Sequence, residues 1–224
     1  MRIGILGAGK MAEALGGQWV RAGHEVFVGG RDEGRAAALA GRIGAAGHGS
    51  LRTAVECGDG AVLHALPYAA GADVAAGLAD ALRGRVLIDC SNPVGEGFAL
   101  LTGGAPSAAE RLAAAAPGAR VVKAFNLCHD SVWRLAPPVF DGRRLAVPVC
   151  GDDEDALDVV RALVRDIGCV PYTAGGLGRA GLVEATAALL IGLWVGEGVD
   201  AQAIVPPVGV VAGEPDQAAR AGLR

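Results

Sequence analysis

MRIGILGAGKMAEALGGQWVRAGHEVFVGGRD, residues 1–32, is the stretch on which the fold turns. A short apolar run, Arg2–Leu6, enters a turn at Gly7-Ala8-Gly9, and a helical stretch, Lys10–Arg21, follows it. A second apolar run, HEVFVGG, closes the unit. Strand, glycine turn, helix and strand at this spacing predict a parallel βαβ unit. Gly7 permits the tight turn, Gly9 lets the backbone approach a pyrophosphate, and Ala12 is small enough to seat the helix against the strand. Lys10 and Met11 open that helix, whose dipole and free N–H groups face the anion. The glycine pattern alone would also suit a turn without a ligand. Its place between strand and helix makes the dinucleotide reading the stronger one.

The tip of the second strand selects the dinucleotide. An NAD site carries an acid there to hold the ribose 2′-hydroxyl, but this chain has Gly29-Gly30-Arg31-Asp32. The Arg31 guanidinium can grip a 2′-phosphate and stack on adenine, and Arg35 adds a second cation one turn later. Asp32 competes as the missing acid, yet its position suits the cap of the next helix. The expected cofactor is NADP(H).

Working outward, apolar runs at 61–65, 85–89, 120–124, 146–150 and 170–172 alternate with helical stretches at 50–57, 69–82, 107–115, 154–167 and 179–196. A further helix is expected over 33–43. This alternation predicts an α/β fold, a doubly wound parallel Rossmann sheet, with a small C-terminal helical extension. The strands are continuously apolar, as both-faced burial requires. The division expected is an NADP-binding domain over 1–150 and a small strand and helix region over 151–224 that completes the pocket. The helix after Gly178 has almost no polar face, which predicts burial, often against a second copy of the chain, hence a homodimer. The tail from Val205, rich in Pro and Gly, is expected to be irregular.

The composition narrows the partners. The chain has 224 residues, 52% of them hydrophobic and 4% aromatic, and a net charge of -4. No basic groove or polybasic stripe is evident, so neither nucleic acid nor a membrane surface is an expected partner. No charge-free apolar run reaches 18 residues and no signal peptide is evident, which predicts a soluble cytoplasmic protein. Five scattered cysteines without CxxC spacing suit reduced thiols, and no metal site is predicted.

More distinctive blocks lie further along: ALP at 65–67, IDCSNP at 88–93, VVKAFN at 121–126, VPVCGDDEDALDVVRALVRDIG at 147–168 and AGGLGRAGLVEATAALL at 174–190. In this order, and together with the first block, they resemble the NADP-dependent oxidoreductase family of coenzyme F-420 (F420), an 8-hydroxy-5-deazaflavin. The resemblance runs over roughly residues 1–196. It implies that Ala65, Leu66 and Pro67 line the cofactor crevice and that Asn92 and Pro93 border the nicotinamide. It further implies that Gly176, Leu177 and Gly178 approach the deazaflavin ring. Asn126 stands where deazaflavin-using members often carry His, which is a departure from their pattern.

Hydride passage between two rings needs proximity and exclusion of water more than an acid or base. The expected partner is therefore a small-molecule redox partner, with coenzyme F-420 as the first candidate. The candidate catalytic residues are Asn126 and His129. His129 would be the proton donor if the substrate were a C=O, C=N or activated C=C group, and otherwise is an ordinary loop residue. A third reading is an NADP-sensing module without turnover.

Overall fold

The computed structural model describes residues 1–103 and 105–199. The tail expected to be irregular lies outside the described residues. In chain order, β1 (Arg2–Leu6), α1 (Lys10–Arg21), β2 (Glu25–Gly29), α2 (Glu33–Ile43), β3 (Gly47–Gly49) and α3 (Leu51–Cys57) come first. Then follow β4 (Ala61–His64), α4 (Tyr68–Gly77), α5 (Ala79–Leu82), β5 (Val86–Asp89), α6 (Ala108–Ala115) and β6 (Arg120–Lys123). The last part holds α7 (Asp130–Trp133), a small hairpin of β7 (Val139–Phe140) and β8 (Arg143–Arg144), β9 (Ala146–Gly151), α8 (Glu154–Asp166), β10 (Val170–Gly175) and α9 (Ala180–Ile191).

Eight strands form one sheet in the order β10-β9-β6-β5-β4-β1-β2-β3. The chain crosses from one side of β1 to the other after β3, and ligands of such sheets bind in the crevice opened by that reversal. Every pairing from β6 to β3 is parallel. The expectation of an all-parallel sheet fails at one seam: β6 meets β9 antiparallel, through Val122 opposite Gly151 and Lys123 opposite Cys150. The connection from β6 to β9 carries α7 and the small hairpin rather than a covering helix, so it returns the chain in the reverse direction. β10 then runs parallel to β9, and so against the main strands.

Successive residues of the central strands serve opposite faces. Leu63, Ile88 and Val122 join Leu15, Trp19, Leu39 and Leu163 under α1, α2 and α8. Their neighbours Val62, Leu87 and Val121 join Leu82, Leu112 and Val183 on the other face. This two-sided burial is why the strands read as unbroken apolar runs. Ser50, Ser107, Asp32 and Asp153 cap α3, α6, α2 and α8 through side-chain bonds to the first turn.

The C-terminal helix is less covered than its composition predicted. Leu182 and Leu189 are each 58% exposed, whereas Glu184 is fully buried. From Leu177 to Glu197 the helical run has 21 residues, long and apolar enough by length and composition to cross a membrane. Its last part, Gly192–Glu197, is a π-helical turn.

Candidate active site

Gly7, at φ 121°, begins the turn after β1, and a Cβ there would stand 2.6 Å from the Ala65 carbonyl oxygen. Only glycine fits. Ala12 is fully buried under the first turn of α1, while a Cβ on Gly9 would meet nothing within 4 Å. Open space thus lies over the N-terminus of α1, where backbone N–H groups receive an anion.

A cavity of about 830 Å³ runs along the carboxyl ends of β1, β2, β4 and β5. Gly7, Gly9, Lys10 and Met11 line it at α1, and Arg31, Asp32 and Arg35 at the far end. Ala65, Leu66, Pro67 and Asn92 line its middle. Cys90, which the order of elements puts beside the crevice, lines it too, and Ala8, Gly30, Tyr68 and Ser91, which no motif singled out, complete it. Lys10, Arg31 and Arg35 are exposed, and among the described residues none of them pairs with a carboxylate. Asp32 accepts the Arg35 N–H at 3.0 Å and so is occupied as the cap of α2. Gly29 has a second reason to lack a side chain: a Cβ would stand 2.7 Å from Ala54 Cβ and 2.8 Å from the Ser50 carbonyl oxygen. The strand tip is pressed against α3, and no acid could stand there.

A second cavity, about 620 Å³, adjoins the first and shares Met11, Cys90 and Asn92 with it. Phe125, Leu127 and Cys128 form one wall, and Ile191, Trp194 and Val195 from the C-terminal helix form the other. Phe125 has a left-handed backbone, φ 62°. Such a conformation costs a bulky residue about 1–3 kcal/mol and persists only when its surroundings hold it. The holder is visible: the ring sits edge-on between Trp19 at 5.8 Å and Trp133 at 5.5 Å. The turn it makes delivers Asn126 to Asn92. The Asn126 side chain donates to Asn92 Oδ1 at 2.9 Å and to the Val183 carbonyl at 3.3 Å, and Asn92 donates to the Asn126 carbonyl at 2.7 Å.

His129 lines the second cavity but is occupied. Its Nδ1 accepts the Ser131 N–H at 3.3 Å as the cap of α7, and Nε2 lies 3.2 Å from Asp130 Oδ1. The side chain is 69% exposed. Burial pushes the Cys90 thiol up to about 12 and the Cys128 thiol to about 11, so neither is a thiolate at neutral pH. Pro93 is buried beside the cavities, its carbonyl bonded to the Leu101 N–H at 2.7 Å. Gly176, Leu177 and Gly178 line neither cavity. Because β10 runs against the main strands, its end falls beside Asp152, whose carboxylate accepts the Leu177 N–H at 2.9 Å.

The feature least foreseen is a buried charge network behind the two asparagines. Lys123 Nζ lies 2.8 Å from Asp89, 2.6 Å from the Ser91 carbonyl and 2.9 Å from Glu184. All three charged side chains are fully buried. Glu184 also accepts the N–H groups of Ala108 and Ala109, at 2.9 and 3.3 Å, at the start of α6. Burial pushes the Asp89 carboxyl up, but the Lys123 ammonium outweighs it and holds it well below the usual carboxylate range. Burial lowers Lys123, and the charges of Asp89 and Glu184 reverse this and hold it above its ordinary value. The available signal was a lysine, one of two in the chain, inside an apolar strand, and a glutamate inside an apolar helix. Such charges must find each other.

Residues 2–93 match the family described as NADP oxidoreductase, coenzyme F420-dependent. The F420-dependent NADP reductase of Methanothermobacter thermautotrophicus is 30% identical over 210 residues, which cover 86% of this chain and 89% of that protein. The chain belongs to this family of NADP oxidoreductases. Metalloreductase STEAP3 of Rattus norvegicus is 33% identical over 193 residues, but the chain spans only 38% of that protein's length and 86% of its own is covered. The family fold is seen again in an Arthrobacter sp. FB24 structure described provisionally as an F420-dependent NADP-reductase. The TM-score is 0.74 at 24% identity, covering 88% of this chain and 95% of that one. A Streptomyces aurantiacus imine reductase shares the fold with a TM-score of 0.64 at 23% identity, over 92% of this chain and 71% of that one.

Proposed function

We propose that the chain transfers hydride between NADP(H), held in the larger cavity, and coenzyme F-420, whose ring enters the apolar one. The observation that carries this is the shared floor of the two cavities, Met11, Cys90 and Asn92. Two rings bound in the two cavities meet across that floor. The open space over Gly9 and the three unpaired cations fit the phosphates of NADP(H), with Arg31 and Arg35 at the 2′-phosphate. The aliphatic and aromatic walls fit a flat ring and keep water from the transfer. When bound, the deazaflavin would supply a hydride acceptor, and the proton that completes its reduction would come from solvent. The chain's part is to place the rings and hold Asn92 and Asn126 between them. Five free cysteines suit a reducing, cytoplasmic setting.

A second reading keeps NADPH, or the reduced deazaflavin, as donor and takes a C=O, C=N or C=C substrate. The His129 ring, 69% exposed on the cavity wall and 3.2 Å from Asp130, favours it, since an imidazole at the wall is placed where a proton donor to such a substrate would stand. Anaerobic mixing of NADPH with oxidised coenzyme F-420 and catalytic amounts of protein separates the readings. Bleaching of the deazaflavin's visible band, retained in His129→Gln, is the expected result. Deazaflavin binding without bleaching sinks the first reading. Tight NADPH binding with no deazaflavin binding would leave an NADP-sensing module.

A further inference from the structure

A third cavity, of about 200 Å³, lies between α4 and α6 behind the carboxyl ends of β4 and β5. Tyr68 and Ser91 line both it and the dinucleotide cavity, so the two adjoin. On its wall is His64, 1% exposed, and neither ring nitrogen has a hydrogen-bond partner among the described residues. The Asp89 carboxylate stands 3.6 Å from Nδ1, too far for a bond. Buried polar groups in native proteins are almost always bonded, and an imidazole with both nitrogens idle asks for a partner. The ring is held against α4, where only glycine allows the approach: a Cβ on Gly71 would stand 3.0 Å from His64 Cε1 and 3.1 Å from Nε2.

The rest of the lining says what that partner is. Arg111 is exposed at the wall, and only its Nε is engaged, donating to the Pro106 carbonyl at 3.2 Å. Its two terminal nitrogens remain available among the described residues. Tyr68 and Ser91 add two hydroxyls, and no lining residue carries a carboxylate. The nearby acids are satisfied elsewhere: Asp89 by Lys123 and the Ser91 N–H, and Glu184 by Lys123 and the first turn of α6. The volume is several times the ~30 Å³ share of one water, which suits a group of a few heavy atoms.

We propose that this cavity is a subsite for a small oxyanion, a carboxylate or phosphate group, held by Arg111 and His64 at the edge of the dinucleotide cavity. Arg111 supplies the charge, and His64 supplies the buried donor that a neutral apolar group could not use. Tyr68 and Ser91, on the shared wall, connect the anion to whatever fills the larger cavity. The acid arm of a substrate and free phosphate would use the same contacts. The subsite does not depend on the identity of the hydride partner, because it is built on α4 and α6 rather than on the C-terminal helix.

The four histidines make the test direct. The imidazole ¹⁵N signals of the full chain are recorded during titration with sodium acetate, and separately with inorganic phosphate, against chloride at matched ionic strength. The His64 signal is assigned by its loss in His64→Gln. The expected result is a saturable His64 shift with at least one anion, retained with NADPH bound. Affinity should fall roughly tenfold in Arg111→Ala. A response to acetate alone assigns a carboxylate arm, and one to phosphate alone assigns a phosphate. No saturable shift with either anion overturns the proposal, as does a shift unchanged by Arg111→Ala. So does a shift that NADPH alone reproduces while blocking both anions, since the pocket would then belong to the dinucleotide. NADPH fluorescence in the same samples reports the dinucleotide site independently.

Discussion

Arg31 and Gly29 act together at the far end of the dinucleotide cavity. Arg31 is exposed and unpaired among the described residues, so its guanidinium is available to a 2′-phosphate at little desolvation cost. A charge-assisted contact of this kind contributes about 1.5–3 kcal/mol, roughly ten- to a hundredfold in affinity. Arg31→Ala should therefore weaken NADPH by that factor in calorimetric titration and leave NADH nearly unchanged. Equal losses for the two would remove the 2′-phosphate assignment. Gly7, Gly9, Ala12, Arg31 and Asp32 were readable in sequence because each answers a local demand: a turn, a close approach, a cap, a charge. Tyr68, Ser91 and the buried Lys123 were not, because their surroundings come from segments far away in the chain. Lys123 announced only that a partner existed; that the partners were Asp89 and Glu184 depended on how α9 folds back.

That return of α9 is the main event at the scale of elements. Glu184 ties the helix to β5, β6 and the start of α6 through one carboxylate, and the Val183 carbonyl ties it to Asn126. Removing the shared cation leaves two buried carboxylates without a counter-charge, which costs about 3–5 kcal/mol. Lys123→Met should lower the unfolding free energy by that amount in urea titration, and a loss under about 1 kcal/mol would mean that the network is not closed in solution. The helices Lys10–Arg21 and Glu33–Ile43 match their expected bounds because caps, periodicity and glycine agree there. The direction of β9 was hidden. An apolar strand pattern carries no sense of direction, and the connection that reverses it holds only the short α7 and a small hairpin. The helix expected from 69 to 82 breaks in two at Leu78, and β3 is too short and glycine-rich to give a strand signal.

For the molecule as a whole, the buried Asp89–Lys123 pair sets a pH window. Asp89 is held below its ordinary pKa of about 3.9, so its stabilisation is complete above that value and is lost as the pH falls toward the folded one. Lys123 is held above its ordinary value of about 10.4, so its stabilisation is complete below that value and is lost only as the pH rises through the folded one. The contribution of the Asp89–Lys123 pair is therefore constant from about pH 4 to about pH 10. Melting temperatures across acid pH should show a descending limb below about pH 4 that is blunted in Asp89→Asn. An unchanged limb in that variant would place the acid sensitivity elsewhere. Leu182, Leu189, Tyr172 and Val195 are each more than half exposed on α9, β10 and the π-helical turn, which we propose as the contact of a homodimer. Sedimentation should give twice the chain's mass, with Leu189→Glu returning it to the monomer; a wild-type monomer at micromolar concentration would end that proposal.

The packing of Gly29 against α3 bears on re-engineering. Cofactor preference in dinucleotide enzymes is commonly redirected by installing an acid at the tip of the second strand. Here that position has no room, since the Ser50 carbonyl and Ala54 already occupy it. A route to an NADH-using variant must therefore start at Arg31 and Arg35, or move a helix. Preference for the phosphorylated dinucleotide is thus protected by backbone geometry as well as by charge, and single substitutions at the strand tip would cost the fold before they changed the cofactor.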